Sequence, residues 1–467
     1  MKKQIFIIVS IFNFCLSSFK YADGYQKQDT GWKAGVAIAL VTPPDHPMTM
    51  AGFAFRKKPS EGKLTELYVR ALALEDIKGD QAVIVTFDLG AIGKDFSDQL
   101  RDLLESKYHL SRAQIILNVS HTHSAPALYS PGSDSTSVLG KRAKEYTEQL
   151  ANHVVEIVGT ALKTLQPVKL YAGNGVTRFQ VNRRNNIEYK LHLQSHFNGP
   201  NVYDVPVIKV VKESGEPLAI LFSYACHASI LKGYKLSGDY VAFAETELEK
   251  LYPQAISLFM QGAAGNQIAY PRLTVEAAKQ HGRSLAAAVE RVISEDMREL
   301  SPALQTSYSE INLESAKPPA TKEDLIKIIS DTLNTPIYVI RKAKSNLERL
   351  NRGESFPTSY PYPVQVWKIG DQPIITMGGE PVVEYAFKLK QIFGQNTFVF
   401  GYSNNVMAYI TTPLILNEGG YEGTSTPFSG SPWAINIEPM IIDEILRLAK
   451  QVGVPLSIPV GIGHINL

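Results

Sequence analysis

The run Ile115-Ile116-Leu117-Asn118-Val119-Ser120-His121-Thr122-His123-Ser124-Ala125-Pro126 sets both the fold and the chemistry of this chain. Its opening residues are largely apolar and β-branched, the composition of a buried strand. Upstream, 81–88 reads as another buried strand. Residues 96–108 read as a helix, with Leu100, Leu103 and Leu104 at helical spacing. A strand–helix–strand succession implies parallel pairing, so the expected fold class is α/β, with mixed β-sheets and flanking helices. Two histidines stand one residue apart where the second strand should stop. Side chains at i and i+2 of a strand share a face, so His121 and His123 look the same way if the extended backbone persists. Neutral imidazole is the commonest metal ligand. The pair is therefore either half of a metal site or a polar loop that carries two histidines.

The chain has 467 residues, 44% hydrophobic and 20% charged, which is ample material for a large core. The formal net charge is +2, and no basic run or basic–aromatic stripe points to nucleic acid. Met1-Lys2-Lys3 precedes an apolar run from Ile5 to Leu16 and the small Ser17 and Ser18. That pattern matches a secretory signal peptide over residues 1–18, and predicts a secreted or periplasmic mature protein. No other segment approaches the roughly 18 apolar residues of a transmembrane span. Cys15 falls inside the signal. Cys226 lies in an apolar run and reads as a buried thiol, since the neighbouring His227 points the other way along a strand. The length allows one large or two ordinary domains.

Further strands are expected at 34–42, 65–75, 168–180, 256–261, 364–369, 372–377 and 397–402, with a hairpin formed by 205–211 and 218–225. Helices are expected at 142–165, 274–293, 321–352, 380–393 and 435–452. His281 is placed on the surface, and the Pro- and Tyr-rich 356–363 reads as a linker. Several strands end in polar groups, where open α/β sheets place their sites. These ends carry His121 and His123, His227, Gly265-Asn266, and Gly378-Gly379-Glu380. With Pro381 at a favoured first helical position, Glu380 either caps a helix or joins two histidines on a metal. Asp88 and Asp239, near other strand ends, are candidates for orienting a histidine.

Ser-His-Thr-His-Ser-Ala-Pro (120–126), Gly-Glu-Pro (379–381), Gly-Tyr-Ser-Asn-Asn-Val-Met-Ala-Tyr-Ile-Thr-Thr-Pro (401–413) and Gly-Tyr-Glu-Gly-Thr-Ser-Thr (420–426) occur in that order. Together they resemble the neutral, non-lysosomal ceramidase family over roughly residues 34–450. The resemblance implies a single catalytic domain over 30–455, with a short tail at 456–467. The resemblance implies Zn2+-dependent hydrolysis of the amide bond of N-acylsphingosines. It implies a lipid or other small-molecule substrate, of a kind that a membrane surface can present. It also implies that His121, His227, Glu380 and Tyr409 are the metal ligands, and that His123, Arg183 and Tyr421 line the substrate or transition-state site. Two imidazoles and one carboxylate would leave zinc with net positive charge, acidic enough to activate water. One departure bears on substrate. The family has a serine in the loop that reads here Gly265-Asn266-Gln267-Ile268-Ala269, and Ile268 stands at or beside that position. The alternatives are a zinc hydrolase of another small amide or ester, and a relative that binds metal without catalysis.

Overall fold

Strands that are apolar on both faces give the molecule two stacked sheets with helices outside them. The computed structural model describes residues 31–44, 47–130, 133–184, 199–335 and 337–457, so the expected export signal lies outside the described residues. The larger sheet runs Ile115–Val119, Gln81–Phe87, Tyr68–Glu75, Trp32–Leu40, Gln166–Val176, Asp204–Lys212, Pro217–Tyr224 and Ile256–Gln261. Arg298–Leu300 pairs with Gln166–Val176 off this path. Its middle pairs are antiparallel, and a parallel pair stands at each end. The helices Lys94–Tyr108 and Asp239–Leu251 lie between the members of those two parallel pairs in sequence. Such crossovers are what parallel pairing demands. The smaller sheet runs Leu304–Glu314, Ser359–Ile369, Gln372–Met377 and Phe398–Phe400.

The two faces of each strand feed different cores. Val83, Val85 and Phe87 join Leu150, Val154 and Ile157 of the outer helix Val138–Lys163. Ala82 and Ile84 join Trp367, Ile374 and Phe398 of the other sheet. On the outer face of the smaller sheet, Val364, Val366 and Ile375 meet Ile441 and Ile445 of helix Ile437–Gln451. The two outermost strands of the large sheet also meet, since the Gln261 amide donates to Asn118 Oδ1 at 2.8 Å. Phe400 and Ser403 bridge to Gly262 and Asn118. This closure gathers several strand ends around one point.

Two expectations, the 356–363 linker and the surface His281, are corrected, and the helical 321–352 segment is resolved into its parts. The 356–363 stretch is not a linker, because strand Ser359–Ile369 begins inside it. Tyr362 there is fully buried and donates to Gly378 O at 3.0 Å. Pro361 and Pro363 are tolerated in the pairing with Leu304–Glu314, where they simply donate nothing. The charged 321–352 segment is two helices, Lys322–Ser330 and Ile337–Asn351. His281 is buried, not on the surface. Its ring stacks on Phe179 with centroids 4.5 Å apart, and its Nε2 donates to Pro271 O at 2.7 Å. His281→Ala should therefore lower stability by roughly 1–3 kcal/mol while leaving metal content unchanged, as calorimetry and elemental analysis would show.

Candidate metal centre

His121 reaches the centre through a turn. Strand Ile115–Val119 ends two residues earlier, and His121 takes a left-handed backbone with φ 58°. The pleat does not continue through the two histidines, yet their rings still meet, with Nε2 atoms 3.2 Å apart. His227 follows strand Pro217–Tyr224, and its amide donates to Gln267 O at 3.1 Å. Glu380 does not cap a helix. Residues Glu380–Pro381 pair in parallel with Tyr409–Ile410, and the helix starts later, at Val383. That register places Glu380 directly beside Tyr409.

The donor atoms converge. Glu380 Oε2 lies 3.2 Å from His121 Nε2 and 3.1 Å from His227 Nε2. Tyr409 Oη lies 3.1 Å from His227 Nε2. The opposite imidazole nitrogens face backbone carbonyls: His121 Nδ1 is 2.6 Å from Gly90 O, and His227 Nδ1 is 2.8 Å from Ala264 O. A carbonyl only accepts, so each Nδ1 carries its proton, and in the neutral ring each Nε2 presents a bare lone pair. Burial, helped by the Arg183 charge, pushes His227 down to about 4, which makes it neutral at pH 7. Burial alone would raise the Glu380 carboxyl, and positive charge at the imidazole side holds it well below its ordinary value. With both Nε2 atoms unprotonated, a bound cation would have to supply that charge.

Two lone pairs and a carboxylate oxygen thus face one another, an arrangement that repels unless a cation lies among them. Ligands bonded at about 2.0–2.1 Å in a tetrahedral zinc site stand roughly 3.3 Å apart, close to the separations seen here. The residues therefore fit a metal of that kind. His121, His123 and His227 also place a nitrogen each within 4.8 Å of one another.

The remaining candidates are arranged around this cluster. His123 is partly exposed, its ring edge-on to Phe53 at 4.7 Å, and the Arg56 guanidinium donates to its carbonyl at 2.5 Å. Burial and the two neighbouring imidazoles push His123 well below its ordinary value. Arg183 follows the short strand Gln180–Asn182 and is fixed at several points. Nε donates to Glu422 Oε1 at 2.6 Å, and Nη2 donates to Gly265 O and to Tyr409 Oη, both at 2.9 Å. Burial raises the Tyr409 phenol well above its ordinary value, and the Arg183 guanidinium opposes that rise, as an anionic phenolate ligand would require. Tyr421 is half exposed, with its ring 5.5 Å from that of Tyr409.

Asp88 and Asp239 orient no histidine. Asp88 accepts from the Tyr68 amide and Arg70, and Asp239 from the Leu231 and Tyr240 amides. The carbonyls of Gly90 and Ala264 do that work, and no side-chain pattern announces a carbonyl. Glu422 and Tyr402 were also missed by the sequence reading. Glu422 is buried between Arg183 and Arg184, and the Tyr402 ring lies 4.6 Å from that of His121. The acidic residue following Tyr421, next to the adjacent arginines 183 and 184, was the available signal for Glu422. Ile268 is buried, its backbone paired with Val181 and bridged to His227, so no hydroxyl stands at that position.

A family model described as neutral/alkaline non-lysosomal ceramidase, N-terminal, matches residues 32–270. Neutral ceramidase B of Dictyostelium discoideum is 23% identical over 263 residues, covering 53% of this chain and 36% of that protein. Neutral ceramidase of Pseudomonas aeruginosa is 24% identical over 258 residues, covering 48% of this chain and 37% of that protein. The alignments thus span well under two thirds of those relatives. The crystal structure of neutral ceramidase from Pseudomonas aeruginosa shares the fold, with a TM-score of 0.70 and 17% identity over 93% of this chain and 76% of that one. The matched region includes His121, His123, Arg183 and His227, while Glu380, Tyr409 and Tyr421 lie beyond it. The chain belongs to the neutral/alkaline non-lysosomal ceramidase family.

Proposed function

We propose that the chain is an exported, zinc-dependent hydrolase of N-acyl amides, with ceramide-like N-acylsphingosines as its first substrate class. The observation that carries this reading is the convergence of His121, His227, Glu380 and Tyr409 oxygen and nitrogen atoms at 3.1–3.2 Å. These four residues would hold the metal. When bound, zinc would supply Lewis acidity at the scissile carbonyl and activate water.

The chain's own groups supply the rest. His123, neutral and held by the Arg56 contact to its carbonyl, accepts a proton from the attacking water and returns it to the leaving amine. Tyr421, partly exposed beside Tyr409, donates a hydrogen bond toward the developing oxyanion. Arg183 stays behind Tyr409 as a fixed positive charge and keeps that phenol oriented. Export rests on the pattern at residues 1–18, and no helix among the described residues is long and apolar enough to cross a membrane.

The purified chain should retain about one zinc per chain and cleave a fluorescent N-acylsphingosine. A chelator should abolish turnover, and added zinc should restore it. Turnover that ignores chelation would sink the metal assignment. No turnover of the sphingolipid at high enzyme concentration would sink the ceramidase assignment. Ile268, in place of a hydroxyl beside His227, favours a second reading, in which the substrate is another small amide or ester.

A further inference from the structure

Tyr421 rides a short helix that is attached through a joint. Helix Pro413–Glu418 ends, and helix Gly420–Thr424 begins two residues later. Gly419 and Gly420 both take positive φ, 70° and 77°, with ψ −135° at Gly419. Such backbone is open in practice to glycine, and two glycines in succession let the Tyr421 helix turn on its neighbour. Tyr421 follows this joint directly, half exposed, with its ring 5.5 Å from that of Tyr409.

Arg184 spans the joint. On the near side its Nη2 donates to Glu418 Oε2 at 2.8 Å. Its Nη1 donates to Gly419 O at 3.1 Å, within the joint, and to Glu422 Oε2 at 2.9 Å on the far side. A planar guanidinium holds such acceptors in a fixed relation, which a point charge on a flexible stem does not. The fit is close, since a Cβ on Gly420 would stand 3.2 Å from Arg184 Nη1. The base of the clamp is anchored too. The Arg184 amide donates to Asn182 Oδ1 at 3.0 Å, and the strand Gln180–Asn182 pairs with Gln267–Ala269 beside His227.

We propose that Arg184 is a positioning residue, which bridges the Gly419–Gly420 joint and so holds the Tyr421 phenol against the metal centre. The consequence for turnover rests on the hydrolase reading above, but the clamp does not. Arg184 acts through Tyr421 and not on the substrate. A donor to an oxyanion is effective only where it is already aligned, so a joint left free to turn costs rate.

The test joins a measurement of motion with one of turnover. Hydrogen exchange read by mass spectrometry should find the 418–424 amides exchanging roughly tenfold faster in Arg184→Ala, with metal content unchanged. Arg184→Lys, which keeps the charge without the fork, should fall between that variant and wild type. On a fluorescent N-acylsphingosine, Arg184→Ala should lower kcat roughly tenfold and leave KM within about twofold. In a Tyr421→Phe background the same change should cost less than about twofold, because the group it positions is gone. Should Arg184→Ala fail to fold, Glu418→Ala, at an exposed residue, carries the test through faster exchange over 418–424. Unchanged exchange in Arg184→Ala and Glu418→Ala overturns the clamp. An equal loss of kcat in both backgrounds, or a loss of metal, overturns the positioning of Tyr421. If exchange responds as expected and wild type cleaves no sphingolipid, the clamp stands and the hydrolase reading fails. If wild type and Arg184→Ala cleave it equally well, the positioning role falls and the hydrolase reading stands.

Discussion

His227→Ala should leave a folded chain that no longer keeps zinc. A structural zinc is worth about 10–16 kcal/mol over four ligands, so one ligand contributes roughly 3 kcal/mol, or about a hundredfold in affinity. His227 contributes a single donor atom to the cluster, but that Nε2 faces both Glu380 and Tyr409 at 3.1 Å. Its loss leaves the Glu380 carboxylate buried beside one imidazole only. The backbone should survive, because the His227 amide bond to Gln267 O does not depend on the side chain. Elemental analysis after dialysis should find less than a tenth of the wild-type zinc, with an unchanged circular dichroism spectrum. Unchanged stoichiometry would mean that the ligand set is wrong.

Gly265→Ala should damage both stability and metal binding without touching a ligand. A Cβ on Gly265 would stand 2.6 Å from Glu380 O and 3.0 Å from the Pro381 carbonyl carbon and oxygen. These are backbone atoms and cannot rotate away. The Gly265 amide already donates to Pro381 O at 2.9 Å, so the turn and the Glu380–Pro381 strand must separate together. That movement displaces Ala264 O from His227 and Gly265 O from Arg183. Overpacking of this kind costs about 1–3 kcal/mol, and disturbing the groups behind metal ligands costs about 10–100-fold in affinity. Thermal melts and zinc titration of the variant should show both losses. A variant matching wild type in melting temperature and zinc affinity would show that the turn can relax independently of Glu380.

The legible parts of the fold were those where a single physical pattern sufficed. Gln81–Phe87, Ile115–Val119 and Ile256–Gln261 are unbroken apolar strands because both faces are buried, one under helices and one under the second sheet. The rhythm of strand and helix around Lys94–Tyr108 correctly implied parallel pairing. Patterns fail where a distant partner decides. Prolines at 361 and 363 suggested a linker, but Leu304–Glu314 pairs with that stretch. His281, with no acidic neighbour at ligand spacing, suggested the surface, but the buried Phe179 stacks on its ring and Pro271 O accepts from its Nε2. In the candidate site, the structure brings the strand-end residues His121, His227 and Glu380 together with Tyr409. The reason offered for pairing His121 with His123 was mistaken, since a left-handed turn brings the rings together and not a shared strand face. The register that sets Glu380 beside Tyr409 joins two two-residue strands, too short for any period to show.

The donors of the metal centre are far apart along the chain: Glu380 lies 153 residues and Tyr409 182 residues from His227. In an unfolded chain, bringing them together would close very long loops before any packing repaid the entropy. The cluster therefore cannot nucleate folding, and it forms only when the two sheets have already docked. A cation that binds there acts after the rate-limiting barrier has been crossed, and so slows unfolding while leaving the folding rate nearly untouched. A cation held there would then govern how long each native molecule lasts, and would hardly affect how fast it is made.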